Sequence, residues 1–114
     1  MIFLGSDAVE KLIGDSRVSS RSRAALALHP ADNLGIRCIV NCIQPGSYIR
    51  PHVHPSDKGQ EIWVPYQGRL GVVVFDTSGG VDEAMVLSRT EQRFVEIPQG
   101  KYHTAVALDE DSMM

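Results

Sequence analysis

The sequence predicts an all-β fold, a sandwich or small barrel preceded by a short helical segment. Three observations carry that prediction. From Gly35 onward, short segments rich in Val and Ile follow one another, bounded by Gly, Pro, Asp and Ser. Turn-like segments (QPGS, PSDKGQ, YQG, DTSGG, SRTEQ and IPQGK) separate them at roughly the 8–12-residue spacing of such folds. The first third of the chain lacks this pattern and carries helix-start chemistry instead. The division is therefore residues 1–34, a helical segment packing on the barrel, and residues 35–114, the barrel itself. With 114 residues in all, the chain is one domain with no room for a second core.

Each element has its own signal. Asp7 followed by Glu10 marks a helix start, and Val9, Leu12 and Ile13 give an apolar stripe that Gly14 is expected to end. The Ser/Arg segment SRVSSRSRA follows, and the Ala/Leu stretch after it reads as a second helical turn before His29-Pro30. The expected strands are Ile36–Ile43, Tyr48–Val53, Glu61–Tyr66, Leu70–Phe75, Glu83–Leu87, Phe94–Ile97 and Thr104–Leu108.

Composition narrows the function classes. The chain is 43% hydrophobic and 22% charged, ordinary for a globular protein, and its net charge of -3 offers no basic footprint for nucleic acid. No apolar run approaches the roughly 20 residues of a membrane helix, and the start lacks the basic and apolar regions of a signal peptide. Cys38 and Cys42 on one strand stand about 13 Å apart, too far to bridge. They read as small hydrophobes of a reduced compartment, so a cytoplasmic location is expected.

The chemistry concentrates in the β region. His52 and His54 form an H-x-H pair; on a strand, residues two apart share a face, so both imidazoles can reach one ion. Glu61 opens the next strand after a polar loop, and a hairpin would return its carboxylate beside the pair. His103 follows the turn IPQGKY. Three imidazoles and one carboxylate form a mixed N/O set suited to one divalent ion, Zn, Fe, Mn, Ni or Co. Taken singly, each of these residues reads as surface or turn chemistry; their joint arrangement makes the site.

These residues also carry a family resemblance. In GSYIRPHVHPSDKGQEIWVPYQG, Gly46, His52, His54, Glu61 and Gly68 match the first motif of the cupins, and in FVEIPQGKYHTAVA, Pro98, Gly100 and His103 match the second. Within the cupins the chain most resembles the small WbuC-type proteins found with O-antigen biosynthesis genes. It shares with them the order Arg21, Arg23, His29, Arg37, Asn41, Pro45, Gly46 and Tyr48. The resemblance implies a cupin (double-stranded β-helix, jelly-roll) barrel with its metal on His52, His54, Glu61 and His103. It departs from the pattern in three places. Six residues separate His54 from Glu61 where the motif has three or four. The second motif's opening glycine and closing asparagine are Gln92 and Ala107. Little sequence follows the second motif, so one wall is expected to be completed by a neighbouring subunit or by the N-terminal segment.

Alternation places further candidates. Tyr48, Arg50, His52 and His54 share one face; Arg37 and Asn41 share another, and an inward Arg37 would be an ion-pair partner or an anion anchor. Trp63 lies on the Glu61 face, as pocket wall or core. Arg21, Arg23, His29 and Lys58 folded over the barrel mouth would favour an anionic ligand such as a phosphorylated or carboxylated sugar. Three classes of function remain open. One is a metal-dependent enzyme acting on a sugar or nucleotide-sugar intermediate, as an isomerase, epimerase or Fe(II) dioxygenase. The second is a metal-bearing binding module without turnover, and the third a structural cupin whose metal only supports the fold. Tyr48, Tyr66 and Tyr102 are candidate proton donors, none marked out. The first strand, apolar on nearly both faces, needs a cover, a helix or a second barrel, and a homodimer is expected.

Overall fold

The computed structural model describes residues 2–29, 35–55 and 60–114. Lys58 lies outside the described residues. Among the described residues one helix, α1 (Ser6–Val18), precedes eight strands: β1 (Arg23–Ala27), β2 (Ile39–Ile43), β3 (Glu61–Trp63), β4 (Leu70–Phe75), β5 (Val81–Leu87), β6 (Val95–Ile97), β7 (Tyr102–Ala107) and β8 (Ser112–Met113). All named pairings are antiparallel and fall into three sheets, ordered β1-β2-β8, β3-β6 and β5-β4-β7. Among the described residues, isolated bridges join these sheets to intervening segments, including His52 to His103 and Gln67 to Met113, and the sheets are not closed into one continuous ladder. The fold is all-β with one short helix.

Helix α1 departs from expectation at both ends. It runs through Gly14, and Gly5 caps its start without a side-chain hydrogen bond, so no capping box forms. Tertiary docking outweighs the glycine: Leu12 and Ser16 are buried, and the Ser16 hydroxyl donates back to the Ile13 carbonyl at 2.7 Å. The Ala/Leu stretch expected to be helical is strand β1, paired residue for residue with β2 from Arg23–Ile43 to Ala27–Ile39. Helix propensity of Ala and Leu is worth tenths of a kcal/mol per residue, and a full ladder on β2 overrides it. The N-terminal segment thus supplies one flank of β2 and β8 the other.

Two apolar clusters form the core. Val40 and Cys42 of β2 meet Leu12 of α1 and Met113, so the chain's own helix covers that face of the strand. Ile43, Trp63, Leu70, Val72, Leu87, Val95, Ile97, Ala105 and Ala107 make the larger cluster. Strand β4 alternates as a half-buried strand should, with Leu70, Val72 and Val74 inward. Burying an aliphatic side chain as fully as Leu70 or Leu87 contributes about 1.5–3 kcal/mol.

The segment expected as strand Tyr48–Val53 forms only the His52–His103 bridge, with backbone bonds of 3.0 and 2.9 Å. Pro51 has no N–H to donate, which interrupts a ladder there. The Thr104 hydroxyl donates instead to the Ile49 carbonyl at 2.6 Å. Gly68 must be glycine: its φ is +69°, and a Cβ there would sit 2.5 Å from the Ser112 hydroxyl oxygen.

Candidate metal centre

The two histidine-bearing segments meet through the 52–103 bridge. On β7, His103 pairs across from Val74 and faces inward with Ala105 and Ala107, so its ring is buried at the rim of the larger core. His52 is held opposite by the two bridge bonds, and His54, two residues on, turns to the same side. The rings of His52 and His54 are 5.0 Å apart, and those of His52 and His103 are 4.5 Å apart. One ligating nitrogen from each of the three lies within 4.8 Å of the others. Strand β3 brings Glu61 to them: its Oε2 is 3.0 Å from His54 Nε2 and 3.1 Å from His103 Nε2. The structure therefore gathers the three histidines singled out as metal ligands and sets Glu61 against two of them, His54 and His103.

Hydrogen bonding fixes which nitrogens face inward. His52 Nδ1 is 3.0 Å from the Arg50 carbonyl, and His103 Nδ1 is 3.0 Å from the Lys101 carbonyl. A carbonyl oxygen only accepts, so each Nδ1 carries the proton and each neutral ring presents a bare Nε2. Both histidines use the carbonyl two residues before them, the outer-shell arrangement that orients metal-bound imidazoles. Trp63 Nε1 donates to Glu61 Oε1 at 2.8 Å.

One consequence follows for Glu61 Oε2 and His103 Nε2. Both atoms are buried, and beyond the close approaches already given neither has a hydrogen-bond partner among the described residues. With Nδ1 protonated, a neutral His103 would turn a lone pair toward a carboxylate lone pair, which is repulsive unless a cation lies between them. Without metal that cation is a proton. Burial alone pushes the His103 pKa down, but bonding to Glu61 and to the Lys101 carbonyl outweighs it and raises the pKa above its ordinary value. Burial alone pushes Glu61 up, and His103, Trp63 and His54 together bring it below the usual carboxylate range. A divalent ion would do the same work on all four donors. Beside them is a cleft of about 20 Å³ lined by His54, Glu61, Ile97, Pro98, Gln99, Gly100, Lys101 and His103, room for one water-sized ligand.

The remaining expected site residues are dispersed. Arg21, Arg23 and Tyr48 line a separate hollow of about 310 Å³, in which Arg23 donates to the Tyr48 carbonyl at 2.8 Å. His29 Nδ1 accepts from the Cys38 N–H at 3.2 Å, extending the β1–β2 pairing, and does not line the histidine cleft. Arg37 is exposed rather than inward, because β2 begins only at Ile39; with Asn41 and Trp63 it lines a third groove of about 320 Å³. Cys38 is exposed for the same reason, whereas Cys42 is buried as expected. Tyr48, Tyr66 and Tyr102 are exposed, and none lines the cleft. Sequence reasoning missed the Arg50 and Lys101 carbonyls; being backbone atoms, they leave no residue-type signal. No helix among the described residues is long and apolar enough to cross a membrane.

Searches of the curated proteins and of the solved structures gave no match. The model of one family matches residues 4–87, a span that holds His52, His54 and Glu61 and stops short of His103. The chain belongs to that family, described as Domain of unknown function (DUF6016).

Proposed function

We propose that this chain is a cupin-type metalloprotein in which His52, His54, Glu61 and His103 hold one divalent ion and present it to a small polar metabolite. The observation that carries the reading is the buried pair of Glu61 Oε2 and His103 Nε2, aimed at each other with only a shared cation to satisfy both. Three imidazoles with one carboxylate suit Fe, Mn, Co, Ni or Zn. Such an ion supplies a Lewis acid able to polarise a carbonyl or hydroxyl. The protein's part is orientation: two backbone carbonyls set the imidazole tautomers, and Trp63 sets the carboxylate. The WbuC-type resemblance extends the reading to sugar or nucleotide-sugar intermediates of polysaccharide synthesis.

A second reading, metal-dependent binding without turnover, is favoured by the cleft's composition. No tyrosine lines it, and the Lys101 ammonium is held by Asp82 at 2.8 Å. Among the described residues, the site thus has no proton carrier beyond its ligands. Elemental analysis of protein purified without a chelating tag tests the shared premise. The expected result is one equivalent of a first-row metal, lost in His54→Ala; a metal-free protein that cannot be loaded sinks both readings.

A further inference from the structure

We infer that Trp63 is a positioning residue that presents Glu61 to the ion through one oxygen only, an inference resting on the metal-site reading above. Trp63 is the one tryptophan in the sequence, and its side chain is buried. It follows Glu61 by two residues on β3, so both face inward. A buried indole N–H needs an acceptor, and Glu61 Oε1 supplies it at 2.8 Å. That bond occupies one carboxylate oxygen. The other, Oε2, is left facing His54 and His103 at 3.0 and 3.1 Å. The same indole meets the His103 ring edge-on, with centroids 5.7 Å apart.

One side chain thus sets the rotation of one ligand and walls another. A carboxylate free to turn can chelate with both oxygens and fill an extra coordination position. With Oε1 held, Glu61 gives a single donor, and a six-coordinate ion with four protein donors keeps two positions for water or ligand. Trp63 thereby determines how open the centre is.

The test is Trp63→Phe, which keeps an aromatic ring in the core and removes the N–H. Metal-free wild type and variant are titrated with Co(II) alone, followed by calorimetry and visible absorption. The expected result is a fall in affinity of about 10–100-fold, the usual effect of losing a residue that orients a ligand, together with an altered Co(II) spectrum. A variant that melts lower but binds Co(II) with unchanged or higher affinity and the same spectrum overturns the inference and leaves the metal site standing. Wild type that takes up no Co(II) overturns the metal site, and the inference with it. Should the variant fail to fold, ¹⁵N-labelled wild type gives a single indole N–H resonance. That resonance is expected to move on addition of Zn(II), and a resonance that stays in place overturns the inference.

Discussion

Two clusters in this molecule gather a carboxylate among partners distant in sequence, and they are finished differently. At Asp111 every contact closes. Arg17 of α1 forks onto both carboxylate oxygens, with Nε 3.0 Å from Oδ1. Gln44 donates to Oδ1 at 2.7 Å and accepts from the Asp111 N–H at 3.0 Å. Gln67 donates to the Asp111 carbonyl at 2.9 Å. At Glu61 one oxygen is closed by Trp63, and the other faces His54 and His103 beside a small cleft. The first cluster ties the helix, the end of β2 and the turn before β8 into one body. The second leaves Glu61 Oε2 and His103 Nε2 without a further hydrogen-bond partner among the described residues. A saturated polar cluster is a structural clasp, and one with matched donors left over is built for a ligand.

Substitutions separate the two most sharply. His103→Ala is expected to weaken metal binding by at least about 100-fold while the metal-free protein keeps its strand content, read by metal titration and far-UV circular dichroism. Next to the other cluster, Gly68→Ala is expected to cost about 1–3 kcal/mol, since it adds strain at positive φ to a clash with Ser112, with metal affinity unchanged. Asp111→Ala comes next, at about 1–2 kcal/mol through the lost bond from the Gln44 side-chain amide and a loosened turn, again without effect on affinity. If Asp111→Ala and His103→Ala alter metal affinity alike, the contrast between clasp and site fails.

Protons draw the same contrast more gently. Hydrogen bonding from Arg17 holds the Asp111 carboxyl below its usual range, although burial opposes it. Its contribution is present above the unfolded value near 3.9 and disappears as pH falls through the lowered pKa. His103 in chelated protein behaves oppositely. Its raised pKa makes its contribution complete below about 6.5, and that contribution is lost as pH rises through the folded value. Metal needs the neutral ring, so added metal should stabilise more as pH rises. Melting temperatures at pH 5.5 and 8.5, with chelator and with excess Ni(II), should show a metal-dependent gap that widens with pH. A gap independent of pH contradicts the assignment of His103 as a ligand.

The site was more legible in the sequence than its setting. The period of two in an extended chain was enough to pair His52 with His54 and Glu61 with Trp63. A proline-glycine turn announced His103. The segment around the H-x-H pair was harder: Val and Ile suggested a strand, and Pro51 reduced it to a single bridge. Composition misled at Arg23–Ala27, where Ala and Leu favour a helix in isolation and cross-strand pairing decides otherwise. The Asp111 clasp was invisible, because its partners Arg17 and Gln44 lie 94 and 67 residues away and each is an ordinary polar residue in its own segment.

Native mass spectrometry of tag-free protein, exchanged into volatile buffer with one equivalent of Mn(II), Fe(II), Co(II), Ni(II) or Zn(II), tests the central claim most directly. The account predicts a single metal adduct per chain that disappears in His103→Ala and persists in Asp111→Ala. Folded wild-type protein with no adduct, or an adduct equally strong in His103→Ala, would contradict it.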